Sequence, residues 1–69
     1  MEIKFAINLR FMRESEKLTQ TELAQKIGVT QRKISYWESG KIEPDIYGLW
    51  KLADYFGTTI DELIGRTIV

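Results

Sequence analysis

Two helical patterns, neither long enough to persist in water by itself, meet at the three residues Gly28-Val29-Thr30. The first opens at Thr19, and Glu22 three residues on completes a Thr-x-x-Glu capping box that satisfies two orphan backbone donors. Its apolar stripe is Leu23, Ala24 and Ile27, and Gly28 supplies the left-handed stop. The second is capped by Thr30, runs to about Glu38 and leaves through Ser39-Gly40, with Ile34 and Trp37 turned inward. Isolated helices of about eight residues are marginal in water. The pair exists only if other elements cover its apolar face, and Val29 in the turn is expected to plug the gap between the helices.

The remaining residues supply those elements. Phe5, Leu9 and Met12 recur at helical spacing with Ile7 and Phe11 beside them, which predicts a first helix from about Ile3 to Glu16. Lys17 follows at its C-terminal end, where a cation suits the helix dipole. Beyond the central pair, Lys41 to Glu43 form a loop ending at Pro44, whose ring disfavours helix at the preceding residue and permits it just after. Asp45 caps a fourth helix through Phe56, with Ile46, Leu49, Leu52, Ala53 and Phe56 expected to be buried and Gly57 ending it. Gly48 inside that helix costs about 1 kcal/mol relative to alanine, for which close packing against a neighbouring helix is one explanation. Thr59 and Glu62 repeat the capping box, and Ile60, Leu63 and Ile64 are expected to turn inward from a short fifth helix. Gly65 to Val69 show no clear pattern; Ile60, Ile64, Ile68 and Val69 are expected to dock inward, with a residual dimer patch as the alternative. The reading is an all-α, compact five-helix bundle. Without internal repeat or linker, residues 1–69 are expected to form a single domain.

Composition narrows the chemistry. Sixty-nine residues lie near the lower size at which an apolar core holds a fold unaided. Cysteine and histidine are both absent, which removes disulfides, the usual zinc ligands and the usual general base at neutral pH. With no glycine-rich phosphate loop and no clustered acids, no nucleophile–base pair exists, so neither an enzyme nor a metal or cofactor is expected. Glu22 and Glu62 read as caps, and the adjacent acids Asp61 and Glu62 have no third ligand. No apolar run approaches the ~18 residues of a membrane span. The start, Met-Glu-Ile-Lys-Phe, lacks the order of a secretion signal, so a cytoplasmic protein is expected. The formal net charge is zero, but residues 1–41 carry eight Lys/Arg against five Asp/Glu, and residues 42–69 carry two against five. The halves are +3 and −3, compatible with one phosphate-facing surface and a solvated acidic rear.

The second of the paired helices begins with Gln31, Arg32 and Lys33, long hydrogen-bonding side chains in a first turn whose opposite face is apolar. A helix entering a DNA major groove must do both things at once. Glutamine bonds bidentately to adenine N6 and N7, and arginine to guanine O6 and N7. Gln31 and Arg32 are therefore direct-readout candidates, Lys33 can reach a base or a phosphate, and Tyr36, one turn on, a thymine methyl or a phosphate. Gln20 stands at the start of the preceding helix, where free amide hydrogens attract phosphate. With Thr30, Ser39 and Lys41 it makes up the candidate backbone contacts, which position a protein without specifying sequence. Trp37 reads as core. Trp50 reads as half-buried packing, with a dimer surface as the alternative.

The stretch resembles the helix-turn-helix of the lambda-repressor-like, or Xre, family, and is especially similar to lambdoid phage repressors and Cro proteins. The resemblance rests on Leu18-Thr19-Gln20, Glu22-Leu23-Ala24, Gly28, Ile34 and Glu38-x-Gly40-Lys41, and continues through Pro44, Leu49, Leu52-Ala53 and Asp61-Glu62-Leu63. It covers residues 5–65 or so, and places the helix-turn-helix at about residues 20–38. It implies a five-helix bundle that binds operator DNA as a dimer. By position, Gln20 matches a glutamine that braces a phosphate and the first recognition-helix residue, and Gln31 matches a residue that reads adenine in lambdoid members of the family. Arg32, Lys33 and Tyr36 fall on variable reading positions, so their targets do not carry over. Arg13 and Glu38 match a charged pair tying the first helix to the end of the third, and read as a structural ion pair, partly buried, whose desolvation offsets much of its attraction. Lys17 departs from the pattern, where many members have glycine, and is expected to strain the turn.

The expected function is sequence-specific binding of double-stranded DNA by a small transcriptional regulator, a repressor, acting as a homodimer on a pseudo-palindromic operator. Recognition helices ~34 Å apart would match half-sites one helical turn apart. The alternative is a protein-interaction module on the same fold, such as the antitoxin of a toxin–antitoxin pair with a toxin as partner; the neutral overall charge keeps it in view.

Overall fold

The computed structural model describes residues 3–65. Five helices follow in order: α1 (Phe5–Ser15), α2 (Gln20–Ile27), α3 (Gln31–Ser39), α4 (Ile46–Phe56) and α5 (Ile60–Ile64). No strand occurs among the described residues, and no helix there is long and apolar enough to cross a membrane. The expected punctuation is realised nearly residue by residue. Thr19 and Thr59 each close a full capping box with Glu22 and Glu62. Thr30 accepts the Lys33 amide and Asp45 the Gly48 amide. α1 is shorter than predicted, starting at Phe5 and ending at Ser15.

Each helix contributes one completely buried side chain: Leu9, Leu23, Ile34, Leu52 and Leu63. Burying such a side chain is worth about 1.5–3 kcal/mol, so the five together organise helices that are individually unstable. α2 packs chiefly on α3, α3 also packs on α1, and α1 also packs on α5. Phe5 meets Trp37 edge to face at 6.4 Å between ring centroids, and Val29, Met12, Leu49, Phe56 and Ile64 pack against this core while remaining partly exposed. The first and last helices clamp each other. The Lys4 amide donates to the Ile64 carbonyl at 2.9 Å, and Asn8 Nδ2 donates to the Glu62 and Leu63 carbonyls at 3.3 Å. Carbonyls that the end of a short helix would leave orphaned are thereby satisfied.

Three positions differ from the sequence reading. Ile46 is 84% exposed, Trp50 58% and Ile60 41%. At about 100° per residue, Gly48, Leu49, Leu52, Ala53 and Phe56 form one arc of α4 against the core. Ile46 stands at the margin of that arc in the first turn, where no other helix reaches over it. Tyr47 and Trp50 lie on the opposite side and touch edge to face at 6.3 Å. Ile60 is likewise the first residue of a helix too short to bury more than Leu63 completely. The patch expected of Ile68 and Val69 lies outside the described residues.

Gly48 has a structural reason. A Cβ there would lie 3.1 Å from Cη2 and Cζ2 of the Trp37 indole and 3.2 Å from Asp45 Oδ1. The missing side chain lets the tryptophan lie directly on the α4 backbone. Lys17 is the one non-glycine residue with positive φ among those described, at 57°. The strain expected at this position is located there.

Candidate nucleic-acid interface

The α2–α3 turn sets the geometry. Gly28 is left-handed (φ 76°, ψ 36°), and the amides of Gly28 and Val29 both donate to the Ala24 carbonyl, at 2.9 and 3.0 Å. Glycine takes this conformation without steric cost, so α2 stops abruptly and α3 starts after only Gly28, Val29 and Thr30. Ile34 and Trp37 anchor α3 from beneath. Gln31, Arg32 and Lys33 are thereby left exposed on its first turn, with Tyr36 half-buried one turn on.

A chain of hydrogen bonds runs from the interior to that first turn. Arg13 Nε donates to Glu38 Oε2 at 2.6 Å and Nη2 to Oε1 at 3.0 Å, a bidentate pair whose side chains are 11% and 5% exposed. The third arm, Nη1, donates to the Leu18 carbonyl at 2.7 Å. The hydrogen bonds to Glu38 hold the Arg13 pKa above its ordinary value, against the opposing effect of burial. Glu38 Oε1 also accepts from Gln20 Nε2 at 3.1 Å, and Gln20 Oε1 accepts from Gln31 Nε2 at 2.7 Å. No buried polar side-chain atom is left unpaired among the described residues, as a buried polar network requires. Arg13 and Glu38 form the ion pair expected from the sequence. That Gln20 also bonds to Glu38, joining the pair to the tip of α3, was not anticipated. Eighteen residues separate Gln20 from Glu38, so no local spacing signals the contact.

The far end of α3 is built differently. The Tyr36 carbonyl accepts from the Lys41 amide at 3.0 Å and from Ser39 Oγ at 3.1 Å. The Ser39 hydroxyl hydrogen is therefore engaged internally. Lys41 Nζ lies 4.7 Å from the centroid of the Tyr36 ring, a cation–π contact worth about 0.5–1 kcal/mol at an exposed site. Thr30 spends its oxygen on capping α3 and stays exposed beside Gln31. Gln20, Gln31, Glu38 and Arg13 are thus joined in one network, Tyr36, Ser39 and Lys41 in a second, while Arg32 and Lys33 extend from the helix between them.

Comparison with known proteins adds to this geometry. A helix-turn-helix family model matches residues 9–63. The HTH-type transcriptional activator BcrR of Enterococcus faecalis is 39% identical over 62 residues, covering 90% of this chain and 30% of the activator. An uncharacterized HTH-type transcriptional regulator of Methanocaldococcus jannaschii is 36% identical over 55 residues, covering 80% of this chain and 83% of that protein. The P22 c2 repressor, solved in complex with a synthetic operator, superposes with a TM-score of 0.85 at 27% identity over 91% of this chain and 96% of its own. The chain therefore spans over four-fifths of two of these proteins and under a third of the Enterococcus activator. Five helices in this order, the abrupt α2–α3 turn and a family match across most of the sequence agree: the chain belongs to the helix-turn-helix family of the lambda-repressor-like, Xre/Cro type.

Proposed function

We propose that this protein is a transcriptional repressor that binds double-stranded operator DNA with α3 in the major groove. The observation that carries the proposal is Gln31, exposed at the tip of α3 and held by Gln20, which is itself held by the buried Arg13–Glu38 pair. A preorganised amide loses little entropy when it meets an adenine edge. In this reading Gln31, Arg32, Lys33 and Tyr36 read bases. Gln20, Thr30, Ser39 and Lys41 contact the backbone, Ser39 by turning its hydroxyl away from the Tyr36 carbonyl. One domain carries both activities in the cytoplasm, and no catalytic step is assigned to it.

The same proposal includes a homodimer on a pseudo-palindromic site. Ile46, Tyr47 and Trp50 form an exposed apolar face on α4, and a two-fold contact sets one such patch against its own copy. The antitoxin reading would seat a toxin on this face instead.

Selection from random duplexes at two salt concentrations tests the proposal. It predicts enrichment of a two-fold-related sequence whose affinity falls steeply with salt, by a log–log slope of about −0.9 per phosphate neutralised. Failure to enrich any duplex would refute it in favour of the interaction module.

A further inference from the structure

The hydrogen-bond chain has a direction, and the direction is imposed from its buried end. A carboxylate only accepts hydrogen bonds, whereas a glutamine amide has one accepting and one donating end. Glu38 faces Arg13, and both of its oxygens accept from the guanidinium. Gln20 can therefore approach Glu38 only with its NH2 group, as observed at 3.1 Å. That leaves Gln20 Oε1 facing α3, so Gln31 must turn its own NH2 inward, at 2.7 Å. What remains outward on Gln31 is its carbonyl oxygen and the second N–H.

We infer that Glu38, acting through Gln20, fixes which way round the Gln31 amide faces the DNA, and so is a specificity-determining positioning residue that itself touches no base. The inference rests on the base-reading proposed for Gln31. An acceptor and a donor side by side, in a set order, match the donor and acceptor of an adenine major-groove edge. Reversing the order presents the wrong atom to each. In the free protein the network removes that reversal. A Glu38→Gln substitution restores it: the amide at 38 can offer its own NH2 to Gln20, which then flips, and Gln31 flips in turn. The reversal leaves the base-facing side chains of Arg32, Lys33 and Tyr36 in place, and the loss of the carboxylate at 38 acts on all duplexes alike, so the change in discrimination falls on one base pair.

The experiment uses the duplex enriched by selection and its three variants at the position relaxed by Gln31→Ala. Discrimination is the ratio of affinities among these four duplexes, read alongside thermal unfolding. Glu38→Gln is expected to lower discrimination at that position by ~5–10-fold and leave discrimination at other positions unchanged. The exchanged double variant Gln20→Glu with Glu38→Gln returns an acceptor to position 20. It is expected to recover the discrimination while binding all duplexes more weakly, because the carboxylate is moved from the buried site at 38 to the DNA-facing start of α2. If Glu38→Gln does not fold, Gln20→Met breaks the chain without touching the Arg13–Glu38 pair, and is expected to lose discrimination at the same position. Retained discrimination in a folded Glu38→Gln or Gln20→Met, or loss spread over all positions without recovery in the double variant, would overturn the inference. If Gln31→Ala itself relaxes no position, the base-reading proposal fails first.

Discussion

Lys17 invites a test in which glycine should beat alanine. It follows α1 with φ 57°, its amide donating to the Glu14 carbonyl at 3.0 Å. The next amide, of Leu18, donates to the Arg13 carbonyl at 3.1 Å. The left-handed conformation costs a residue with a Cβ about 1–2 kcal/mol, and glycine nothing. Against this, glycine gives up about 0.5–1 kcal/mol through the greater freedom of the unfolded chain. The lysine side chain is exposed, and its favourable dipole interaction, about 0.3 kcal/mol at the low end, is lost equally in either replacement. Lys17→Gly should therefore exceed Lys17→Ala in stability by about 0.5–1 kcal/mol, or about 2–8 °C in Tm for a domain of this size. Urea unfolding of the two variants, with equal m-values, measures the difference directly. In an ordinary helical position the order is reversed by about 1 kcal/mol. Alanine equal to or more stable than glycine would show that position 17 is not left-handed in solution. The geometry of Leu18, whose carbonyl receives Arg13 Nη1, would then need revision as well.

Other substitutions probe different parts of the account. Gly48→Ala should destabilise by up to about 2 kcal/mol in chemical denaturation, because crowding of the buried Trp37 by about 1–3 kcal/mol outweighs the helix-propensity gain of about 1 kcal/mol; stabilisation would mean the indole can give way. The Thr19 amide hydrogen bond holds the Glu22 carboxyl below its ordinary pKa. Its stabilisation is therefore present above the ordinary carboxylate range and lost as pH falls through the lowered value. Glu22→Gln should accordingly flatten part of the acid limb of a Tm-against-pH profile, and an unchanged limb would refute the linkage. Trp50→Glu should leave Tm and single half-site binding near wild type, yet reduce the extra affinity for a full two-fold site in a mobility-shift titration. Undiminished full-site affinity would remove the α4 face from the dimer.

Local chemistry was legible in the sequence because its causes are local. Thr19 with Glu22, Thr59 with Glu62, and Gly28 after Ile27 each satisfy backbone groups within four residues of themselves, and the helices begin and end where those residues place them. Periodicity found Leu9, Leu23, Ile34 and Leu52 for the same reason. It failed at Ile46 and Ile60, where a helix face continues past the neighbour that would cover it; spacing along the chain gives the face and not the extent of the partner. Gly48 needed the Trp37 ring, eleven residues away, to be explained. The site divided along the same line. Gln31 and Arg32 could be picked out as candidate readers by type and position, and Arg13 with Glu38 by resemblance. The bond from Gln20 to Glu38 exists only once α2 has folded across the end of α3.

The central claim is that the first turn of α3 reads bases while the surrounding groups hold the backbone. Its most direct test compares Gln31→Ala with Lys41→Ala on the selected operator and on every single-base variant of it. The account predicts that Gln31→Ala relaxes the preference at one base pair in each half-site, losing about 1–3 kcal/mol of discrimination there. Lys41→Ala should weaken all duplexes alike and reduce the salt slope by about one unit. Equal, sequence-independent losses from both variants would contradict it.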